Sequence, residues 1–122
     1  MTMTQAELNE ILEKHKKWLD NEPGGEYADF SGSDLRDSNL RGSNLSGSDL
    51  SGCNLDFSCL PLWCGSLLAY FDDRQIVQIV YHAVRAGRRS PNVSDEVKAE
   101  LRKMAPLANR FHHAEECGVI EE

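Results

Sequence analysis

The sequence lacks a long apolar run, a basic leader and an excess of positive charge. No stretch approaches the ~18 consecutive apolar residues of a membrane-spanning helix, and no basic segment followed by an apolar one opens the chain. We therefore expect a cytoplasmic protein with no membrane partner, whose four cysteines are reduced. The formal net charge of −7 argues against direct binding to nucleic acid.

Known catalytic patterns are missing as well. No Ser/His/Asp or Cys/His arrangement can be placed, there is no P-loop, and no GxGxxG follows a predicted strand. We expect no enzyme activity and no cofactor. Zinc stays open as an alternative, because thiol and imidazole ligands occur at Cys64, His82, His112 or His113, and Cys117. Their spacings match no known ligand pair, and no CxxC motif is present.

What the sequence does contain is a five-residue repeat between positions 28 and 62. An apolar residue returns at every fifth position, a small residue stands two positions before it, and Asp or Asn stands one position before it in six of the seven repeats. Such a unit cannot bury its own apolar residue and must stack on its neighbours. The Asp and Asn residues are interpreted as ordinary solvated groups. The predicted structural core of the repeats is Phe30, Leu35, Leu40, Leu45, Leu50, Leu55 and Leu60.

A period of five places one apolar and one small residue inward and leaves three positions outside. This favours a square solenoid with one repeat on each face, in which seven repeats make 7/4, or 1.75, coils. The segments A-D-F-S-G, S-D-L-R-D and S-N-L-S-G resemble those of pentapeptide-repeat proteins, whose pattern is A(D/N)LXX. The resemblance implies a right-handed quadrilateral β-helix. We therefore expect a short β-solenoid of about two coils with α-helical caps.

The flanking segments predict the caps of this solenoid. Thr4 and Glu7 form a capping box, which begins an N-terminal capping helix over residues 4–21. Residues 63–71 are expected to close the last coil, and residues 72–118 to form C-terminal helices, the first of which ends at Gly87. Because 122 residues leave little material for a second core, the whole chain, 1–122, is expected to be a single domain.

The first C-terminal helix carries apolar residues on more than one face, and a cap needs only one apolar stripe. The spare surface predicts a homodimer interface at Ile76, Ile79, Val80, Ala83 and Val84. Three arginines stand near the end of this helix. These are Arg85, Arg88 and Arg89. They either compensate the helix dipole or form a fork of guanidinium groups that binds an anion.

Together these features favour a non-enzymatic, acidic and homodimeric protein-binding module with an unidentified host or cellular protein as partner. By analogy with small acidic phage proteins, such a module could be an inhibitor that occupies a host protein's surface. The resemblance adds a second possibility, because some pentapeptide-repeat proteins mimic duplex DNA and bind gyrase. Here the repeats carry a charge of only −3, against one charge per ~1.7 Å of duplex axis. A third possibility is a small phosphorylated ligand, held by the arginines at the dimer seam.

Overall fold

The computed structural model describes residues 3–62 and 68–121. The chain divides into two compact units, residues 1–72 and 73–122. Residues 63–67 of the predicted closing segment lie outside the described residues. No helix in the described ranges combines the length and the apolar character that a membrane crossing requires. The helices are α1 (Gln5–Leu19), α2 (Asp73–Arg89), α3 (Asp95–Arg102), α4 (Ala105–Ala108) and α5 (Ala114–Cys117).

Helix α1 begins directly after the predicted capping box. Thr4 Oγ1 accepts a hydrogen bond from Glu7 N at 3.1 Å, and Glu7 Oε1 accepts one from Thr4 N at 3.2 Å, so two donors at the helix start are satisfied. The helix ends at Leu19. Gly25 then passes so close to the backbone of Trp18 that a Cβ atom at this position would overlap it. Only glycine fits there, and it allows the chain to turn back tightly towards the first repeat.

Each five-residue repeat folds as a β-turn followed by one extended residue. The small residue's amide closes the turn by donating to the carbonyl of the preceding apolar residue, as Ser33 N does to Phe30 O at 2.9 Å. The second residue after each of the first six apolar positions has a positive φ. Asp37 and Phe57 adopt this conformation at 60° and 59°, and elsewhere the position is occupied by glycine, which meets no steric penalty there. These glycines are Gly32, Gly42, Gly47 and Gly52.

The Asp and Asn residues of the repeats reach solvent, as predicted for solvated groups, and they also have a structural role that the sequence analysis did not predict. In six successive repeats the Oδ1 atom accepts a hydrogen bond from the backbone amide two residues later, as Asp29 does from Ser31 N at 3.0 Å. This Asx turn satisfies an amide that the β-turn leaves open. Serines at the small position also contribute, because Ser48 Oγ donates to Leu45 O at 2.6 Å.

The predicted β-solenoid, a right-handed quadrilateral β-helix, is wrong. The described residues form no β-strand and no sheet, and the parallel bridges between successive windings of the repeats are isolated. The physical reason is that four of the five residues in a repeat belong to its β-turn. Only the Asp or Asn position stays extended, and single residues cannot build a ladder. The bridges are Asp29–Asp49, Asp34–Asn54, Asn39–Cys59 and Asp49–Tyr70. Backbone hydrogen bonds between turns, such as Gly32 N to Ser51 O at 3.1 Å, add to them.

The core of the first unit is the column of apolar repeat residues together with one face of α1. Six of the seven predicted core residues are buried, five of them completely, while Leu60 is half-buried. Leu8 of α1 is fully buried in the same cluster. Burial of this column, at roughly 1.5–3 kcal/mol for each large apolar side chain, stabilises the repeats together with the backbone hydrogen bonds within and between their turns. The buried residues are Leu8, Ala28, Phe30, Leu35, Leu40, Leu45, Leu50, Cys53 and Leu55.

The second unit is helical and has its own core. Helix α2 continues to Arg89, so the prediction that it ends at Gly87 is wrong. A Cβ atom at Gly87 would overlap the Leu101 side chain, and this glycine therefore serves close helix packing rather than helix termination. α2 packs against α3 and α4. The core consists of Val77, Tyr81, Val84, Ala105, Ala108, Phe111, Ala114 and Ile120.

Candidate functional site

Two exposed aromatic side chains stand next to each other on the first unit. Trp18, on the last turn of α1, and Tyr27, just before the first repeat, have ring centroids 5.4 Å apart and meet edge to face. They are 42% and 40% exposed. The Trp18 ring also packs over the turn at Gly47, where a Cβ would be 3.6 Å from the ring. The pair is therefore fixed in place while nearly half of its surface faces solvent.

His15 supports this aromatic pair from the interior. Its ring stacks on Trp18 with centroids 5.4 Å apart and planes at 19°. The side chain is fully buried. Ala28 N donates to its Nδ1 at 3.1 Å, so the proton is on Nε2, which donates to Ser46 O at 2.9 Å. Burial lowers the pKa of His15, although the bond to Ser46 acts in the opposite direction, and the ring is held neutral between α1 and the repeats.

A column of polar residues lies beside the pair. Asp29, Asp49 and Tyr70 are successive bridge partners, so their side chains follow one another on the same face at a spacing of ~5 Å. Partial burial, and then the charges of Asp49 and Asp29, raise the pKa of the Tyr27 hydroxyl. Hydrogen bonds from Ser31 lower the pKa of Asp29, which is therefore ionised at neutral pH. We call Trp18, Tyr27, Asp29, Asp49 and Tyr70 the aromatic–acidic surface.

An acidic groove adjoins the aromatic–acidic surface at Tyr27. It encloses about 300 Å³. Lys14 Nζ is 3.9 Å from a carboxylate oxygen of Glu10 and 3.9 Å from one of Glu26, so one cation is shared between two acidic groups. The lining residues are Glu7, Glu10, Ile11, Lys14, Glu26 and Tyr27. With three carboxylates and one ammonium group, the groove has a net negative charge.

The charge of the whole chain is concentrated on the first unit. Residues 1–72 contain twelve acidic and five basic groups, a net of −7, whereas residues 73–122 contain eight of each and are neutral. The first unit therefore carries all of the net charge of −7. Its long-range field attracts cationic groups.

The three candidate anion-binding arginines lie in the second unit and line one cavity of about 300 Å³ with Ile120 and Glu121. Arg85 Nη1 donates to the Tyr81 hydroxyl at 3.0 Å and to Gly118 O at 3.1 Å. Arg88 donates to the carbonyl oxygen of Glu121. Arg89 is exposed. Two of the three guanidinium groups thus fasten the segment that follows α5, which is a structural role.

The predicted dimer-interface residues fall on different faces of α2. Ile76 is 45% exposed and Ala83 is also exposed, whereas Ile79 and Val80 are half-buried. Val84 is fully buried in the core of the second unit. Val84 therefore cannot contribute to a dimer interface. Helical spacing explains its burial, because Val84 shares the inward face of α2 with residues 77 and 81. The surface that α2 leaves open therefore centres on Ile76 and Ala83.

The candidate zinc ligands do not come together as a set. Cys64 lies outside the described residues. Within the part of the chain that the structure describes, His82 and Cys117 join no group of three potential ligand atoms with the two neighbouring histidines. His82 instead packs edge-on against Phe111, with ring centroids 5.2 Å apart, and His113 Nδ1 is 3.1 Å from a carboxylate oxygen of Glu116.

The aromatic–acidic surface was not predicted from the sequence. Trp18, Tyr27 and Tyr70 are separated by up to 52 positions, and Tyr70 lies beyond the repeats. Two signals were available. Trp18 follows His15 by three positions on the same helix, and Tyr70 follows Asp49 by 21 positions, close to the twenty-residue spacing of the other bridges.

The stacked five-residue turns define the first unit as part of a repeat protein. Residues 27–61 match the family model of pentapeptide repeats with eight copies, so the predicted resemblance is confirmed and this segment consists of pentapeptide repeats. No curated protein and no solved structure gives a significant match to the chain.

Proposed function

We propose that the protein is a non-enzymatic protein-binding module whose first unit contacts the partner. One observation supports this proposal: the first unit carries the whole net negative charge of the chain and also two exposed aromatic rings that are fixed in place. Exposed aromatic side chains are enriched at protein interfaces. A partner with a basic face would be drawn to this unit by its field. By occupying that face, the module would act as an inhibitor of the partner's other contacts.

Cross-linking after affinity capture tests which unit binds. A lysine-reactive cross-linker would be applied to the full chain in complex with a captured partner, and the linked peptides would be identified by mass spectrometry. We expect links from Lys14, Lys16 and Lys17 of the first unit. Links confined to Lys98 and Lys103 of the second unit would contradict the proposal, and so would the absence of any partner that binds the purified chain in calorimetry.

The same proposal includes self-association through α2. Ile76 and Ala83 leave apolar surface exposed on this helix, and two-fold pairing is the commonest way for a small protein to cover such a surface.

A further inference from the structure

We propose that the aromatic–acidic surface binds an arginine or lysine side chain from a basic segment of a partner protein. This inference rests on the proposed function and names the chemistry that the partner must present. Three features of the surface support it: the ring pair, the paired carboxylates and the acidic groove beside them.

The ring pair provides the face on which a cation binds. The negative face of an indole or phenol ring attracts a guanidinium or ammonium group within ~6 Å of its centroid, and Trp is the strongest such partner. Trp18 is fixed by His15, by the Tyr27 ring and by the turn at Gly47. A cation that binds here therefore costs little ordering of the protein side chains.

The carboxylates complete the site. Asp29 and Asp49 are bridge partners, and like charges placed directly opposite each other are unfavourable. The Oδ1 atom of each is used by a serine two residues later, and the Oδ2 atoms make no hydrogen bond within the described residues. A guanidinium group would pair with both acids and relieve their repulsion.

The adjoining groove indicates that the ligand is a segment and not a single cation. Tyr27 belongs both to the ring pair and to the groove lined by Glu7, Glu10 and Glu26. A second basic residue on the same segment would reach these glutamates while the first occupies the rings. The neutral second unit offers no comparable attraction, since its acidic and basic groups balance.

The test is a titration with the peptide acetyl-Gly-Arg-Gly-Arg-Gly-amide. The chain has two tryptophans, so a Trp63→Phe variant makes Trp18 the single fluorophore. We expect a saturable change in Trp18 fluorescence that weakens as salt is added. The same peptide with citrulline, the neutral analogue of arginine, should bind at least tenfold more weakly, because only the charge differs.

Matched variants locate the site. Asp49→Asn should weaken peptide binding about tenfold, and Tyr27→Leu several-fold, whereas Tyr27→Phe keeps the ring and should retain binding. Asp37→Asn is the control. It removes one exposed charge from the same unit, at a position whose φ of 60° suits asparagine, and should change the affinity less than twofold. Far-UV circular dichroism would verify that each variant folds. If Trp63→Phe does not fold, the indole NMR signal of Trp18 in the unmodified chain replaces fluorescence.

Four results would overturn the inference. Equal binding of the arginine and citrulline peptides would show that the charge of the peptide has no role in binding. Equal effects of Asp49→Asn and Asp37→Asn would show that the peptide responds to the electrostatic field of the whole first unit and not to a contact with Asp49. A fall in oligomer mass on Tyr27→Leu would show that a second copy of this chain covers the surface. A captured partner that still binds after Asp49→Asn and Tyr27→Leu would preserve the proposed function while refuting this site.

Discussion

Replacing His15 with leucine removes the buried polar contact that fastens helix α1 to the repeats. The imidazole satisfies Ala28 N and Ser46 O, and leucine can satisfy neither. The buried Ala28 N, left without its acceptor, costs about 1–3 kcal/mol. Ser46 O is only part-buried and adds less, and the apolar burial of leucine offsets part of the cost. We expect a net loss of about 1–3 kcal/mol in the free energy of unfolding of the first unit, measured by urea unfolding at pH 7.5.

The pH dependence provides a second measurement on the same residue. Because burial lowers the pKa of His15 in the folded state, the unfolded chain binds a proton first as the pH falls. The stabilisation that the neutral His15 side chain contributes is therefore complete above the pKa of histidine in the unfolded chain, about 6.5. It decreases as the pH falls from there through the lower pKa of His15 in the folded state. Tyr27, the other titratable ring against His15, has its pKa raised above its usual range near 10 and stays neutral throughout.

The control is Lys16→Leu, an exposed position on the same helix, which should change stability by no more than about 0.5 kcal/mol. The other histidines contribute equally to both proteins, so the difference between them isolates His15. Between pH 7 and pH 5 the wild-type chain should lose more stability than His15→Leu. Parallel pH profiles, or a loss at pH 7.5 no larger than that of the control, would refute the account of His15 as a neutral buried link.

Three further predictions concern the core, the thiols and the assembly. Leu45→Ala should cost about 2–5 kcal/mol because it opens a cavity in a fully buried column, against less than about 0.5 kcal/mol for the exposed Arg41→Ala; similar urea midpoints would contradict this. Burial raises the pKa of Cys53 to about 12, so iodoacetamide at pH 8 should modify exposed Cys59 while sparing Cys53 until denaturation, as read by peptide mass spectrometry. Light scattering should give about 27 kDa, twice the chain mass of 13.7 kDa, and Ile76→Asp should yield monomer; a single-chain mass for the unmodified protein would remove the dimer.

Local patterns in the sequence determined the repeats, their inward residues and the start of α1. Each is indicated by a pattern among residues a few positions apart. An apolar residue at every fifth position must find neighbours of its own kind, whatever the backbone conformation. The Thr4–Glu7 capping box likewise closes within one helical turn. These features were readable because the pattern that indicates each of them is complete within a short stretch of sequence.

The backbone conformation of the repeats could be determined only from the structure. The pattern gave the period but not how the five residues divide between turn and extended chain. Six closing hydrogen bonds such as Ser33 N to Phe30 O place four residues in the turn, which leaves one bridging residue and no strand. The glycines at the positive-φ position and the Asx turn of Asp29 agree with this division between turn and extended chain. They could be interpreted in this way only after the turn had been located in the structure.

The aromatic–acidic surface was decided by the tertiary structure alone. Trp18 reaches it from a helix, Tyr27 from the connection that follows, and Tyr70 from a winding about twenty residues beyond Asp49. No local period relates these positions. Their proximity results from the height of each winding and from the docking of α1 through His15, which are properties of packing and not of sequence spacing.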